Sequence, residues 1–297
     1  MSRDSISRRE FVAGAAAMGA TFVLADALAA APGGKRTFTI LHTNDMHSSF
    51  IGMGPAADYT PFSLNDDATR GGYARLGGLI ARRREAGKAL GPVLVLDAGD
   101  FSMGTPFGAA SREVGGELQV MARMGYDATT FGNHEFDLGP DGLGKAIRTA
   151  AKAGRVPPVV ASNTNVDAAD PTLADLQALA KQGVLRRHLV IERGGLRFGI
   201  FGLLGLEATH YTGGKGAVTF ADAIETAKDV VKTLREKERV DVVICLSHGG
   251  VVKGADGRYA DGDDVRVARE VPGIDVVIGG HSHTELREPI LVNGRTP

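Results

Sequence analysis

The sequence predicts an α/β fold in which a largely parallel β-sheet is covered by helices. From Thr37 onward, short apolar runs alternate with segments of helical periodicity, which is typical of parallel strands joined by helical connections. Residues 221–237 show this periodicity clearly, because apolar residues recur there at every third or fourth position. Several apolar runs also end in Asp, Asn or His, as expected where the strands of such a sheet meet a binding site.

The individual elements follow from the same patterns. The apolar runs predict strands at 37–41, 92–97, 127–131, 157–162, 186–192, 196–204, 240–247 and 274–280. The helical patterns predict helices at 74–88, 113–124, 140–153, 221–237 and 263–270. Gly194–Gly195 separates two of the strands and predicts a β-hairpin there. The polar segment 50–72 has no clear periodicity and is interpreted as a surface loop near the site.

Composition excludes several classes of partner. The 297 residues carry a formal net charge of −1, which argues against nucleic acid or an anionic membrane surface as the main partner. Cys245 is the single cysteine, so neither an intrachain disulfide nor a four-cysteine zinc site can form. Cys245 lies within an apolar run and is interpreted as a small core residue.

The N-terminal segment has the layout of an export signal. Arg8–Arg9 precede an uncharged stretch from Phe11 to Ala25, and Ala27-Leu28-Ala29 fits a cleavage site. The paired arginines resemble a twin-arginine signal, so residues 1–30 are predicted to direct the protein to the periplasm, or otherwise outside the cell, through the twin-arginine export machinery. The alternative is a short membrane anchor, although the apolar run is shorter than the roughly 20 residues that a span needs. No stable membrane span is predicted elsewhere.

Five predicted strands end in residues that bind metals or transfer protons. The clusters are Asp45-Met46-His47, Gly99-Asp100, Asn133-His134, His248 and His281-Ser282-His283. The carboxyl ends of parallel strands meet at one edge of a sheet, so these clusters should converge. Burying so many imidazoles and carboxylates without partners would be costly, which favours a common site. The other histidines, His42, His188 and His210, are interpreted as ordinary core or surface residues.

The chemistry of these side chains indicates divalent metals. The candidate ligands offer oxygen and nitrogen but no thiolate, which suits Zn²⁺, Mn²⁺ or Fe²⁺. They number seven: Asp45, His47, Asp100, Asn133, His248, His281 and His283. Seven ligands exceed what one four-coordinate ion needs, so two ions sharing a carboxylate are expected. Two such ions about 3.5–4 Å apart form the clamp used in phosphoester hydrolysis.

The same residues carry a family resemblance. In order, D-x-H, G-D, G-N-H-E, S-H-G-G and G-H-S-H resemble the motifs of calcineurin-like metallophosphoesterases. "ILHTNDMH", "GGYARLGGLI" and "GNHEFD" resemble the 5′-nucleotidase branch in particular. The resemblance spans roughly Thr37 to Pro297 and implies mixed, largely parallel sheets that pack face to face between helices, in four layers.

The resemblance also implies a role for each residue. Asp45, His47 and His283 would hold the first metal, Asn133, His248 and His281 the second, and Asp100 would bridge them. His134 would pair with Asp137 and meet the substrate phosphate rather than a metal. From the residues alone, Asp137 could instead cap the helix that follows, and Glu135 could orient a ligand histidine or be solvated.

The expected function is therefore that of an exported two-metal phosphoesterase of 5′-nucleotidase type, acting on a small phosphoester, which by resemblance would be a nucleotide. One alternative is a phosphoesterase that acts on 2′,3′-cyclic nucleotides or nucleotide sugars. A second is a thiosulfohydrolase, which the Asn44-Asp45-Met46-His47 sequence disfavours. A third is a fragment that binds metal but is inactive.

The C-terminal sequence suggests an incomplete catalytic domain. Residues 289–292 read as a strand and Asn293–Gly294 as a tight hairpin turn, with few residues left for a returning strand. By resemblance, residues 36–297 would form the catalytic domain, truncated at its end. The C-terminal nucleotide-binding domain of 5′-nucleotidases would be absent.

Overall fold

The computed structural model describes residues 35–52, 70–294 and 297. Residues 37–297 form one compact unit. The predicted export signal at 1–30 lies outside the described residues, as does most of the predicted loop at 50–72. Within the described part of the chain, no helix combines the length and the hydrophobicity needed to cross a bilayer.

The strands are mostly short and follow the predicted apolar runs. They are β1 (Thr39–Thr43), β2 (Val93–Asp97), β3 (Val159–Val160), β4 (Thr164–Asn165), β5 (Leu185–Arg186), β6 (His188–Arg193), β7 (Leu196–Leu204), β8 (Thr219–Phe220), β9 (Val242–His248), β10 (Val252–Lys253), β11 (Tyr259–Asp261) and β12 (Val276–Gly279).

The helices lie between these strands. They are α1 (Tyr73–Lys88), α2 (Pro106–Ala109), α3 (Ser111–Val114), α4 (Gly116–Met124), α5 (Gly139–Ala153), α6 (Ala174–Lys181), α7 (Leu206–His210), α8 (Ala223–Lys232) and α9 (Asp263–Glu270). Short 3₁₀ turns occur at His134–Phe136 and Pro171–Leu173, and a π turn at Thr233–Lys237 extends α8.

Two sheets form the centre of the molecule. The first contains the parallel pairs β1–β2 and β3–β5, which single bridges at Ala128 and Thr129 link together. The second has the order β12-β9-β7-β6, parallel except for β6, which pairs with β7 as the predicted hairpin. The predicted mixed and largely parallel architecture is confirmed.

The two sheets pack face to face and are covered by helices on their outer faces. Leu94 and Leu96 of β2 meet Phe198 of β7 and Ile244 of β9 in the cluster between the sheets. The alternate side chains of the same strands point outward: Val95 packs under α1, α4, α5 and α6, and Cys245 packs under α8 and α9. Strands buried on both faces explain the near-continuous apolar runs in the sequence. The result is four layers, and Cys245 is a buried core residue, as its position in an apolar run predicts.

Some predicted elements differ from the structure. Residues 127–131 form only two bridges instead of a strand. One reason is that the Asp127 carboxylate, rather than a backbone carbonyl, accepts the N–H of Val95. The predicted helix at 113–124 is broken at Gly115, whose φ of 57° is left-handed. Helices α2, α6 and α7 were not predicted.

The C-terminal turn forms, but the strand before it does not. Asn293 and Gly294 have φ of 52° and 73°, the conformation that the hairpin signal predicts. Residues 289–291 are not in a strand. Beyond the turn, the carbonyl oxygen of Pro297 accepts the N–H of Val277 at 2.9 Å, on the edge of β12.

Gly202 of β7 lies against β3 and the segment before it, and this close contact gives a test of the packing. A Cβ at Gly202 would collide with the carbonyl of Val160 and the hydroxyl of Thr130. We expect Gly202→Ala to lower the free energy of unfolding by about 1–3 kcal/mol in urea titrations, as overpacked cores do. Gly213→Ala is the control, because nothing lies within 4 Å of its Cβ position. Equal stability of the two variants would contradict this packing.

Candidate metal centre

The strand ends converge as predicted and bring two groups of ligand-type side chains together. Asp45, His47 and His283 form one group, and Asp100, His248 and His281 form the other. Within each group the ligand atoms lie within 4.8 Å of one another. No further group of three or more His, Cys, Asp or Glu with this geometry occurs among the described residues.

The first group is built around Asp45. Nε2 of His283 lies 3.4 Å from Oδ1 of Asp45 and 3.0 Å from Nε2 of His47. His47 Nε2 is also 3.8 Å from Asp45 Oδ1. Burial lowers the pKa of His47, reinforced by the neighbouring His283 and His134 and opposed by Asp100 and Asp45. Three donor atoms thus face a common space, with His47 favoured in the neutral form that binds a cation.

The second group is buried more deeply. His248 is fully buried, and its Nδ1 lies 2.8 Å from the carbonyl of Ala98, which directs Nε2 toward Asp100 Oδ2 at 3.1 Å. Burial opposes protonation of His248, but the adjacent Asp100 and Asp45 carboxylates outweigh it and raise its pKa to about 9. A positive charge is therefore favoured at this point of the site.

Two buried polar atoms in this part of the chain form no hydrogen bond. Nε2 of His248 contacts the Asp100 carboxylate only as an ion pair, and Oδ1 of Asn133, next to His134 in the sequence, has no hydrogen-bond partner. Buried polar atoms are almost always satisfied, so two orphans beside a carboxylate fit a cation that both would ligate. Nitrogen and oxygen donors without thiolate suit Zn²⁺, Mn²⁺ or Fe²⁺.

Asp100 lies between the two groups. Its Oδ2 is 3.1 Å from His248 Nε2 and 3.9 Å from His47 Nε2, and its Oδ1 accepts the N–H of His134 at 2.9 Å. Burial favours its neutral form, but the contacts with His248 and His134 keep the pKa of Asp100 below its usual range. An ionised carboxylate in this position can serve both groups.

The ligand loops adopt unusual backbone conformations. Positive φ angles near 50° occur at Asp45, His47, Asp100 and His283, and His281 has a φ of 75°. Asp and His tolerate this region better than most residues, yet each instance costs of order 1–3 kcal/mol. Five such residues in one site indicate loops shaped for ligand placement, with the strain offset by the surrounding structure.

Glu135 organises the loops behind the ligands. Its buried carboxylate accepts the N–H groups of Asp100 (2.9 Å), Ser102 (3.0 Å) and Gly132 (2.6 Å), and the Ser102 hydroxyl at 3.0 Å. Burial, with the charge of Asp100, raises the pKa of Glu135 to about 8. Both sequence interpretations of Glu135 are wrong, because it is not solvated and it holds backbone rather than a ligand histidine.

His134 and Asp137 form a pair at the edge of the site. His134 Nδ1 lies 2.8 Å from Asp137 Oδ2, and the His134 ring centroid is 5.5 Å from that of His47. Helix α5 begins at Gly139 after Leu138, with no side-chain cap. The alternative interpretation of Asp137 as a helix cap is therefore wrong.

Sequence reasoning missed a further acidic residue at the site. Glu207 Oε2 lies 3.2 Å from Nε2 of His281, and Tyr211 stacks obliquely on the same ring. Glu207 belongs to α7 and Tyr211 directly follows it, and this helix comes after the carboxyl end of β7. The strand-end rule could have identified them, since β7 is parallel to β9 and ends at the same edge. His42, His188 and His210 belong to neither ligand group.

A family model described as calcineurin-like phosphoesterase matches residues 38–285 of the chain. The chain belongs to this family. The resemblance to calcineurin-like metallophosphoesterases that the sequence motifs carry is confirmed.

Relatives of the chain include 5′-nucleotidases. It is 30% identical over 278 residues to the trifunctional nucleotide phosphoesterase protein YfkN of Bacillus subtilis, covering 87% of this chain and 17% of that protein. It is 31% identical over 257 residues to human 5′-nucleotidase, covering 85% and 39%. The solved 5′-nucleotidase precursor of Thermus thermophilus matches with a TM-score of 0.62 and 30% identity, covering 83% and 42%. The chain thus spans less than half the length of these relatives.

The position of Asp100 between the two groups predicts which substitutions weaken the binding of which metal. Asp100→Asn should weaken binding of both metals, because one carboxylate faces both groups. His283→Ala should mainly weaken one, since His283 belongs to the first group alone. Elemental analysis after metal reconstitution measures both, with His188→Ala as the control. Full metal content in Asp100→Asn would contradict the shared position.

Proposed function

We propose that the protein is a two-metal hydrolase of phosphate monoesters of 5′-nucleotidase type, converting a nucleoside 5′-monophosphate and water into nucleoside and phosphate. The observation that carries the proposal is the juxtaposition of two ligand groups around Asp100 with the His134–Asp137 pair beside them. The 5′-nucleotidases among the relatives support the nucleotide as substrate.

The residues divide into two metal sites in this proposal. Asp45, His47 and His283 hold the first ion, Asn133, His248 and His281 hold the second, and Asp100 bridges them. When bound, the ions supply Lewis acidity, which lowers the pKa of water and offsets the charge of phosphoryl oxygens. The orphaned Nε2 of His248 and Oδ1 of Asn133 support the second site in particular.

His134 acts on the phosphoryl group and on the leaving oxygen. Because Nδ1 faces Asp137, the carboxylate orients the ring, which leaves Nε2 to contact substrate. The His134 side chain is 29% exposed, so a bound phosphoester can reach it. A protonated Nε2 can hydrogen-bond a phosphoryl oxygen and donate its proton to the departing alkoxide.

Replacing His134 tests whether this residue contributes to catalysis without binding a metal. His134→Ala should lower kcat by about 10²–10⁴, the usual effect of losing a general acid, while the metal content stays near that of the wild type. Steady-state kinetics and elemental analysis of the same preparation measure both quantities. Loss of metal from this variant would make His134 a ligand and contradict the assignment.

A substrate panel tests the reaction type. We expect metal-reconstituted protein to release phosphate from AMP and from p-nitrophenyl phosphate faster than it hydrolyses 2′,3′-cyclic AMP or a nucleotide sugar. A preference for AMP over p-nitrophenyl phosphate of about 10³ or more in kcat/KM would require desolvated contacts with the base. A clear preference for the cyclic diester would favour the alternative phosphoesterase activity.

We also propose export through the twin-arginine pathway, which the Arg8–Arg9 pair supports. The protein would then fold in the cytoplasm and act in the periplasm. Changing both arginines to lysine should trap the precursor inside the cell, as measured by fractionation and immunoblotting. Normal export of that variant would indicate another route.

A further inference from the structure

Helix α7 brings an acidic side chain against a histidine of the second ligand group. The N–H of Gly205, just before this helix, donates to the carbonyl of His248 at 2.9 Å. The N–H of Glu207 donates to Oδ2 of Asp263, at the start of α9, at 2.9 Å. The backbone around Glu207 is therefore tied to both β9 and α9, which directs its side chain to the site.

His281 is restrained on several sides. Its N–H donates to the carboxylate of Asp45, with distances of 3.1 and 3.0 Å to the two oxygens. Its ring packs against the rings of His248 and Tyr211, at centroid distances of 5.2 and 5.7 Å. Nε2 then meets Glu207 Oε2 at 3.2 Å. An acceptor at Nε2 favours a proton on that nitrogen and leaves Nδ1 with a free lone pair.

His248 shows the same arrangement with the nitrogens exchanged. Its Nδ1 meets the Ala98 carbonyl, and its Nε2 is left for the site. Metal-binding histidines generally use one nitrogen for the ion and the other for a carbonyl or carboxylate that fixes the tautomer and the ring orientation. In this second group, Ala98 supplies the acceptor for one histidine and Glu207 supplies it for the other.

We propose that Glu207 is a positioning residue of the second metal site, which accepts a hydrogen bond from Nε2 of His281 and directs Nδ1 of that ring to the ion. The inference rests on the proposed two-metal function. It assigns a role to a residue on α7, outside the five strand-end clusters that supply the ligands. The Tyr211 ring limits rotation of His281 and thereby supports the same orientation.

The exposure of the pair sets the size of the effect. The Glu207 side chain is 57% exposed and that of His281 only 12%, so water competes for the carboxylate. Loss of an outer partner typically costs about 10–100-fold in metal affinity. Because Glu207 lies at the exposed rim of the site, we expect its loss to lower the metal affinity by about tenfold, the lower end of that range. The loss of affinity should be confined to the second site.

The test measures metal affinity and the tautomer directly. Metal-stripped wild type, Glu207→Ala and Glu207→Gln are titrated with Zn²⁺ by calorimetry. The ring nitrogens of His281 are followed by ¹⁵N NMR in the Zn²⁺-loaded proteins, with His281→Asn used to assign them. Glu236→Ala is the matched control, because Glu236 is exposed and lies before β9 begins, at the opposite end of that strand from the site.

We expect Glu207→Ala to bind one Zn²⁺ as tightly as the wild type and the second about tenfold more weakly. Glu207→Gln should recover most of the affinity, since its amide oxygen still accepts a hydrogen bond, and a merely structural loss would not be rescued in this way. The wild-type spectrum should show the proton on Nε2.

Unchanged affinity for the second ion in Glu207→Ala, or a proton on Nδ1 in the wild type, would overturn the positioning role while leaving the two-metal function standing. Wild-type protein that binds a single ion would overturn both.

Discussion

The four hydrogen bonds to the buried Glu135 carboxylate hold together the two strand ends on which the site depends. Asp100 follows β2, and Gly132 precedes Asn133 in the next segment, so a single side chain fixes the backbone next to both candidate ligands. A Cβ at Gly132 would collide with Asp100, and the close approach of these loops therefore requires glycine. Hydrogen bonds from backbone N–H groups offset the cost of burying the carboxylate.

This arrangement concentrates charge and backbone strain at one end of the sheets. Asp45 and Asp100 face four histidines, His248 carries a raised pKa, and five ligand residues have left-handed backbone. A divalent ion bound by Nε2 of His248 would offset the charge of the two carboxylates. Metal affinity and the stability of these loops should therefore be linked, since the same loops that bear the strain carry the ligands. In the proposed arrangement, Glu207 fixes the orientation of the His281 ring at the solvent-exposed edge of the site.

Sequence reasoning located the candidate ligands because they follow a simple rule. Each predicted ligand lies at the carboxyl end of an apolar run, and the apolar runs are readable because both sheet faces are buried. The strand prediction failed at residues 127–131, where the Asp127 carboxylate accepts the N–H of Val95 in place of a backbone carbonyl. Sequence reasoning also failed where contacts are purely tertiary. The hydrogen bonds from three backbone N–H groups to Glu135 produce no periodic pattern in the sequence. The contact between Glu207 and His281 produces none either. Helix α6 is short, and its two buried residues, Leu176 and Leu179, are too few to show a clear helical periodicity in the sequence.

The central claim is that one carboxylate, Asp100, joins two cation sites at the end of the sheets. A crystal structure of Mn²⁺-loaded protein, with anomalous diffraction collected at the manganese edge, tests it most directly. Two anomalous peaks about 3.5–4 Å apart are expected, with oxygens of Asp100 contacting both. The peak farther from His47 should contact His248 and Asn133. A single peak, or two peaks that do not share Asp100, would contradict the account.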